Sequence, residues 1–282
     1  MNRLQTSWEI AKRSWSVLKS DKTLAWFPVL SALGSVSVVV ACGALVAVAG
    51  VDDSANGTAL QPLGWVFIAL GYLGVAFVQT YFLAGLVAGA DARLQGHDGT
   101  LRGALAVANS KLHRLLPWAI VSATVTVILN QLERQGIIGQ IIAAFVGIAW
   151  NLITFLTVPI LVIEDLGVGA ALRRSKDLFK RTWGENMIGQ GGLGLVGFLL
   201  MAPAILVVVA ASAAFGAVGG VLAGVVAIAW AVVISVVLSA MSGIYRTALY
   251  RYAATGEVPG DFSGIDFQAQ FRPRRFGRGA RS

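Results

Sequence analysis

The chain has 282 residues, 56% hydrophobic and 13% charged, with a mean hydropathy of +0.74. Soluble domains carry about 25% charge, so half that figure excludes an ordinary soluble protein. The net charge of +8 would suggest nucleic acid in a soluble chain, but in a membrane protein it follows from basic residues collecting on the cytoplasmic side.

An amphipathic stretch, 3–19, opens the chain. Leu4, Trp8, Ala11, Trp15 and Leu18 recur at helical spacing, and Arg3, Lys12, Arg13 and Lys19 lie largely away from them. No short apolar segment with an AxA cleavage site is present, so the first span, about 24–50, reads as an uncleaved anchor. Residues 51–61 hold Asp52, Asp53, Asn56 and Gly57 but no Lys or Arg, and read as a loop. The second span, about 62–91, leads into a second amphipathic stretch, about 101–115, with Leu101, Leu105, Ala108, Leu112 and Leu115 on one face.

Pro117 and Trp118 open the third span, about 116–132, and a turn at 133–136 leads to the fourth, about 137–163. The third amphipathic stretch, 168–183, is the most pronounced. Val168, Leu172, Ser175, Phe179 and Thr182/Trp183 share a face, with Arg173, Arg174, Lys176, Lys180 and Arg181 mostly opposite. Such a helix lies in a membrane surface rather than crossing it. Spans five (about 187–215) and six (about 217–252) meet at Gly216. Residues 1–253 therefore read as one membrane domain, and 254–282 as a basic tail ending in RPRRFGRGARS, disordered or surface-bound.

Of the 22 Lys and Arg residues, all but Arg134 fall in the amino-terminal stretch, in 92–114, in 164–186 or from Arg246 onward. By the positive-inside rule this partition predicts six transmembrane helices with both termini cytoplasmic. The expected location is the cell membrane. Short matches point to three repeats of surface helix plus transmembrane hairpin. Arg13-Ser14 parallels Arg174-Ser175, Ser110-Lys111 with Trp118 parallels Ser175-Lys176 with Trp183, and Ile148-Ala149-Trp150 parallels Ile228-Ala229-Trp230.

The segments SWEIAKRSWSVLKSDKTLAWFPVLS, VPILVIEDLG, RSKDLFKRTWGE and SGIYRTALYRYA together resemble a prokaryotic six-span membrane family known as a domain of unknown function. The resemblance runs from the amino terminus to about Asp266. More distantly, the layout is similar to the membrane domain attached to some glycerophosphodiester phosphodiesterases. That domain is not their catalytic one, so the resemblance implies fold and topology and no activity.

Motifs that would carry chemistry are few. Gly192, Gly194 and Gly197 make a formal GxGxxG, but it sits inside an apolar span without the acidic residue that a nucleotide site needs, so no cofactor is expected. Gly85/Gly89, Gly139/Ala143/Gly147 and Gly216/Gly220/Gly224 read as packing stripes, within the chain or toward a second copy or a membrane partner. His97 and His113 have no metal-ligand spacing, lone Cys42 allows no disulfide within the chain, and no GxSxG elbow occurs. Glu164 and Asp165 read as a structural acidic pair, capping the third amphipathic helix or pairing with Arg246 or Arg251. Gln79, Asn151, Thr154 and Gln190 are the candidate intramembrane polar groups. Prolines 159 and 203 are expected to break spans four and five.

The first functional reading is a non-enzymatic membrane protein engaging anionic lipid. Lys12, Arg13, Lys19, Lys111, Arg114, Arg173, Arg174, Lys180 and Arg181 are its candidate lipid-facing groups. The alternative is a transporter or channel for a small amphiphile or lipid, with a site near Gln79, Asn151, Thr154 and Pro159. The third is a lipid-headgroup enzyme using Glu164, Asp165 or Asp91.

Overall fold

A computed structural model describes the backbone of residues 3–49, 51–54, 57–181, 183–256 and 260–262, and the side chains of 8–49, 60–180, 194, 196–256, 260 and 262. The tail beyond Phe262 and the side chains of Leu4, Arg181, Trp183, Gln190, Leu193 and Leu195 lie outside the described residues.

The fold is helical, with one short β-ribbon. In chain order it runs α1 (Arg3–Ser20), a 3₁₀ turn (Lys22–Ala25), α2 (Trp26–Ala49), β1 (Val51–Ser54), β2 (Gly57–Leu60) and α3 (Pro62–Leu94). Then follow α4 (Leu101–Ser110), α5 (Leu112–Glu133), α6 (Gly136–Thr154), α7 (Thr157–Ile163), α8 (Val168–Arg181) and α9 (Trp183–Thr255). Among the described residues, five segments are long and apolar enough to cross a membrane: Lys22–Ala49, Pro62–Leu94, Leu112–Glu133, Gly136–Ile163 and Val196–Thr255. Their apolar side chains are largely exposed, for example Val48, Ile137, Phe145, Phe215 and Val218. Water does not tolerate such a continuous apolar surface, and a bilayer does.

Where the loop 51–61 was expected, the chain forms an antiparallel ribbon pairing Val51 with Leu60 and Ser54 with Gly57. The sequence carries its signal in Asn56-Gly57, a dipeptide that favours hairpin turns. The third span starts earlier than Pro117: α5 begins at Leu112, and α4 ends at Ser110. Proline 159 does break its span. Without its N–H the carbonyl of Phe155 has no helical donor, and α6 gives way to α7 across Phe155–Leu156. Proline 203 does not: α9 is helical through it, and its one non-helical residue is Gly216, at φ 64° and ψ −153°.

At Gly216 the chain folds back. The indole Nε1 of Trp230 donates to the carbonyl of Leu200 at 3.0 Å, across the two limbs of α9. A Cβ on Gly220 would lie 2.5 Å from the Ser212 hydroxyl, and one on Gly197 2.7 Å from Leu238. Glycines thus let the limbs touch, as small residues do between helices in lipid.

The core gathers at one end of the bundle. Ile10, Val17 and Leu18 of α1, Ala84 to Ala90 of α3, Leu115, Val158 to Val162 of α7, Leu178 of α8, and Met241 to Tyr252 of α9 contribute to it. α2 lies along α3 through a glycine seam, where a Cβ on Gly85 would sit 2.5 Å from the Phe27 ring and one on Gly74 2.8 Å from Val38. Gly85→Ala should therefore force the buried Phe27 aside and destabilise the fold by about 1–3 kcal/mol. A denaturation midpoint in detergent equal to wild type would show that the seam has slack.

Candidate functional site

The three amphipathic stretches pack at the same end as the core; the second buries Ala108 and Leu115 of its expected face, with Leu101 and Leu105 half-buried and Leu112 exposed. On α1 the buried residues are Ile10, Ala11, Ser14, Val17 and Leu18, while Trp8 and Trp15 are 63% and 48% exposed. The tryptophans share the neighbouring exposed arc with Lys12 and Lys19. On α8 the buried line is Ala171, Ser175 and Leu178, with Leu172 and Phe179 half-buried beside it. Ser175 turns its hydroxyl to the carbonyl of Ile153 at 2.5 Å, supplying a donor where the helix breaks before α7. Ser14, its counterpart in the expected repeat, is equally buried, whereas Ser110 is exposed and bonds the carbonyl of Val107.

Around this core end the charged side chains form a linked set. Asp91, at the end of α3, accepts from Arg251 Nε of α9 at 2.5 Å and from Gln95 Nε2 at 2.8 Å. Glu164, just past α7, accepts from Arg174 Nε of α8 at 3.2 Å and from the Tyr250 hydroxyl of α9 at 2.9 Å. Asp165 faces Lys111 Nζ at 3.2 Å and Arg114 Nε at 3.4 Å, with His113 at 3.9 Å. It occupies a positive φ of 53°, a conformation Asp tolerates better than most residues. The Lys111 hydrogen bond, more than any other contact, holds its carboxyl below the ordinary value of 3.8. The Asp165 bridge is thus complete above that value and is lost only as pH falls through the lowered one.

Glu164 and Asp165 therefore bridge, as one of the two structural roles expected, but to partners other than Arg246 and Arg251. Arg251 serves Asp91. Arg246 lies deeper, its guanidinium carbon 4.5 Å from the centroid of the Phe155 ring. Its Nε is buried without a hydrogen-bond partner, and it faces no carboxylate among the described residues.

The basic candidates divide in two. Lys111, Arg114 and Arg174 are held on Asp165 and Glu164. Lys12, Arg13, Lys19, Arg173 and Lys180 stand exposed, with no ion pair among the described residues.

Among the described residues, the intramembrane polar candidates Gln79, Asn151 and Thr154 do not meet. Asn151 lines a groove between α5 and α6 with Thr126 and Asn130. Thr154 returns its hydroxyl to the Trp150 carbonyl at 2.7 Å. Gln79 instead joins Ser239, Ser242 and Arg246 in a crevice of about 530 Å³ between α3 and α9. A second cavity of about 500 Å³, between α2, α3 and α9, continues it through Gln79, Leu83 and Ser239 to Ser31 and Ser35. Arg246 is the residue that sequence reasoning misplaced. Its position just before Arg251 made it look like one more cytoplasmic charge, and nothing local reveals that its helix carries it inward. No cluster of His, Cys, Asp or Glu suited to a metal occurs among the described residues.

A family model matches residues 62–260. The chain belongs to DUF6159, a family of unknown function. The match runs from the start of α3 into the 3₁₀ turn Gly260–Phe262, so it takes in the charged set and the crevice wall formed by α3 and α9, while α1 and α2 lie outside it. No curated protein and no solved structure matches the chain.

Proposed function

We propose that this chain is a six-span membrane protein, both termini cytoplasmic, that acts without catalysis by holding a basic face against anionic lipid. The observation that carries the reading is the division of the basic residues. One group is neutralised by carboxylates, and a second group has no internal use. On α1 that second group lies beside Trp8 and Trp15, the side chains that favour the headgroup layer. A helix packed on its bundle by one face, with Trp and Lys on the adjoining arc, is suited to lie at headgroup depth.

The reversal at Gly216 supports six crossings from five apolar segments. Val196–Thr255 would be about 90 Å as one rod, three times the hydrocarbon thickness, so it must cross twice. The orientation is supported by the basic count, in which Arg134 alone falls at the opposite end. A repeat of surface helix plus hairpin is supported for two of its three copies by the buried Ser14 and Ser175. It is supported further by Trp150 and Trp230, each packed on the preceding limb of its hairpin: Trp150 stacks on Trp118 at 5.9 Å, and Trp230 bonds Leu200.

The test is lipid selectivity of the reconstituted full chain, read by electron paramagnetic resonance with spin-labelled phosphatidylglycerol against spin-labelled phosphatidylcholine. Protein-contacting lipid should be enriched in the anionic label, and salt should weaken the enrichment. Replacing Lys12, Arg13, Lys19, Arg173 and Lys180 with Gln should remove most of it, each charge contributing on the order of 1 kcal/mol. Equal immobilisation of both labels by the wild-type chain would overturn the reading.

A further inference from the structure

We infer that the crevice between α3 and α9 is a binding site for one anionic membrane lipid, with its phosphate on Arg246 and its chains along α2 and α3. This site is separate from the basic face and does not depend on it.

Arg246 is a cation that faces no carboxylate among the described residues. Arg246 lies five residues before Arg251 on the same helix, about 7.5 Å further into the bundle. Its guanidinium lies over the Phe155 ring, with Cζ 4.5 Å from the ring centroid. That contact is with the ring's π system and does not supply the oxygen acceptors that the guanidinium N–H groups need. Nε is buried without an acceptor, and none of the six ion pairs among the described residues includes Arg246. A buried donor left unmet is costly, and a fork of N–H groups with a free edge is suited to a phosphate.

Depth identifies the partner. Gly243 packs against Leu86, which puts Arg246 in register with the α3 segment just beyond Leu83. Counted from Trp65, about 20 helical residues span the hydrocarbon core and end near Ala84. Arg246 is thus at the boundary where lipid phosphates and glycerol esters sit. Beneath it, Ser242 and Ser239 lie about 6 and 10 Å deeper along the helix. Neither hydroxyl makes the backbone bond that Ser212 and Thr247 make to the residue four before, so both remain available to lipid ester oxygens. Alongside these hydroxyls the wall is Phe82, Leu83, Leu86 and Val36, which suits acyl chains, with the buried Ser35 hydroxyl also lacking a partner. A free inorganic anion would use Arg246 and leave this apolar wall bare. A zwitterionic lipid would bring its own cation to the same place.

The experiment is native mass spectrometry of the full chain in detergent, titrated with phosphatidylglycerol, with phosphatidylcholine and soluble glycerol phosphate as separate arms. Wild type should show one phosphatidylglycerol adduct that forms well before the rest. Arg246→Gln should weaken that first adduct about tenfold or more, and Arg246→Lys should keep part of it. Gly194→Phe should weaken it with the cation intact, because Gly194 lines the crevice with open space where its Cβ would go. Arg246→Gln leaves no carboxylate stranded, so its thermal midpoint in lipid-free detergent should be no lower than wild type. The five-site Gln variant of the exposed basic residues should reduce later adducts and spare the first. A first adduct unchanged to within about twofold in both Arg246→Gln and Gly194→Phe would overturn the site. Equal binding of phosphatidylcholine, or displacement by glycerol phosphate at matched concentration, would overturn the assignment to an anionic lipid.

Discussion

Asp91→Ala should be among the most destabilising single changes in this chain, lowering unfolding free energy by about 2–3 kcal/mol. Removing one member of a buried ion pair costs about 3–5 kcal/mol because it strands the other charge, and exposed pairs are worth at most about 1 kcal/mol. Asp91 and Arg251 fall between these limits, with side chains 15% and 25% exposed. The pair also fixes the register of α3 against α9. Next along α9, the Tyr250 hydroxyl ties Glu164 and Arg174 into the same layer. Arg251→Met alone and Asp91→Leu alone should each cost a similar amount, and Asp91→Leu with Arg251→Met should recover much of the loss, since no charge is then left without a partner. The measurement is a double-mutant cycle on denaturation midpoints in detergent. Additive single effects would mean that the two groups do not interact, and a loss under about 0.5 kcal/mol for Asp91→Ala would mean a solvent-screened pair.

What the sequence made legible was decided by long apolar runs and charge counts. α2, α3, α5 and α6 with α7 lie within a few residues of the spans read from hydropathy, and the reversal at Gly216 coincides with the expected junction. A span is declared by about 20 successive residues, so single errors average out. Faces were less legible. Helical spacing groups Trp8 and Trp15 with Ala11 and Leu18 on one face of α1, yet Ala11 and Leu18 pack together with Ile10, Ser14 and Val17 while the tryptophans stand exposed. Against lipid an amphipathic helix has two apolar destinations, protein and headgroup layer, and periodicity does not separate them. Pairings were hardest. Glu164, read as capping α8 or pairing with Arg246 or Arg251, meets Arg174 and Tyr250. The choice among neighbouring arginines depends on helix rotation, about 100° per residue, which composition does not encode. The same rotation hid Arg246, five residues from a surface partner of Asp91 and turned toward Phe155 and Gln79.

Gly216→Ala should disrupt the last hairpin, although the new methyl would meet nothing within 4 Å. The cost lies in the backbone alone. At φ 64° and ψ −153° the residue is in a region essentially restricted to glycine, and an L-residue there pays about 1–3 kcal/mol or relaxes toward helix. Relaxation is not a mild outcome here. Rejoined into one rod, the 73 residues of α9 would extend about 110 Å, far beyond any bilayer, and the Trp230–Leu200 bond would be lost. The two limbs therefore depend on a single residue to remain antiparallel, and Gly216→Val should be worse than Gly216→Ala. Gly224→Ala is the control: its site is helical and equally open, so the change should be neutral or stabilise by up to about 1 kcal/mol. In a Cys42→Ala background, cysteines at positions 200 and 230 should be joined efficiently by a bifunctional maleimide, and Gly216→Val should abolish the link. If Gly216→Ala matches Gly224→Ala in both denaturation midpoint and cross-linking, the reversal does not rest on glycine geometry, and contacts between the limbs must hold it instead.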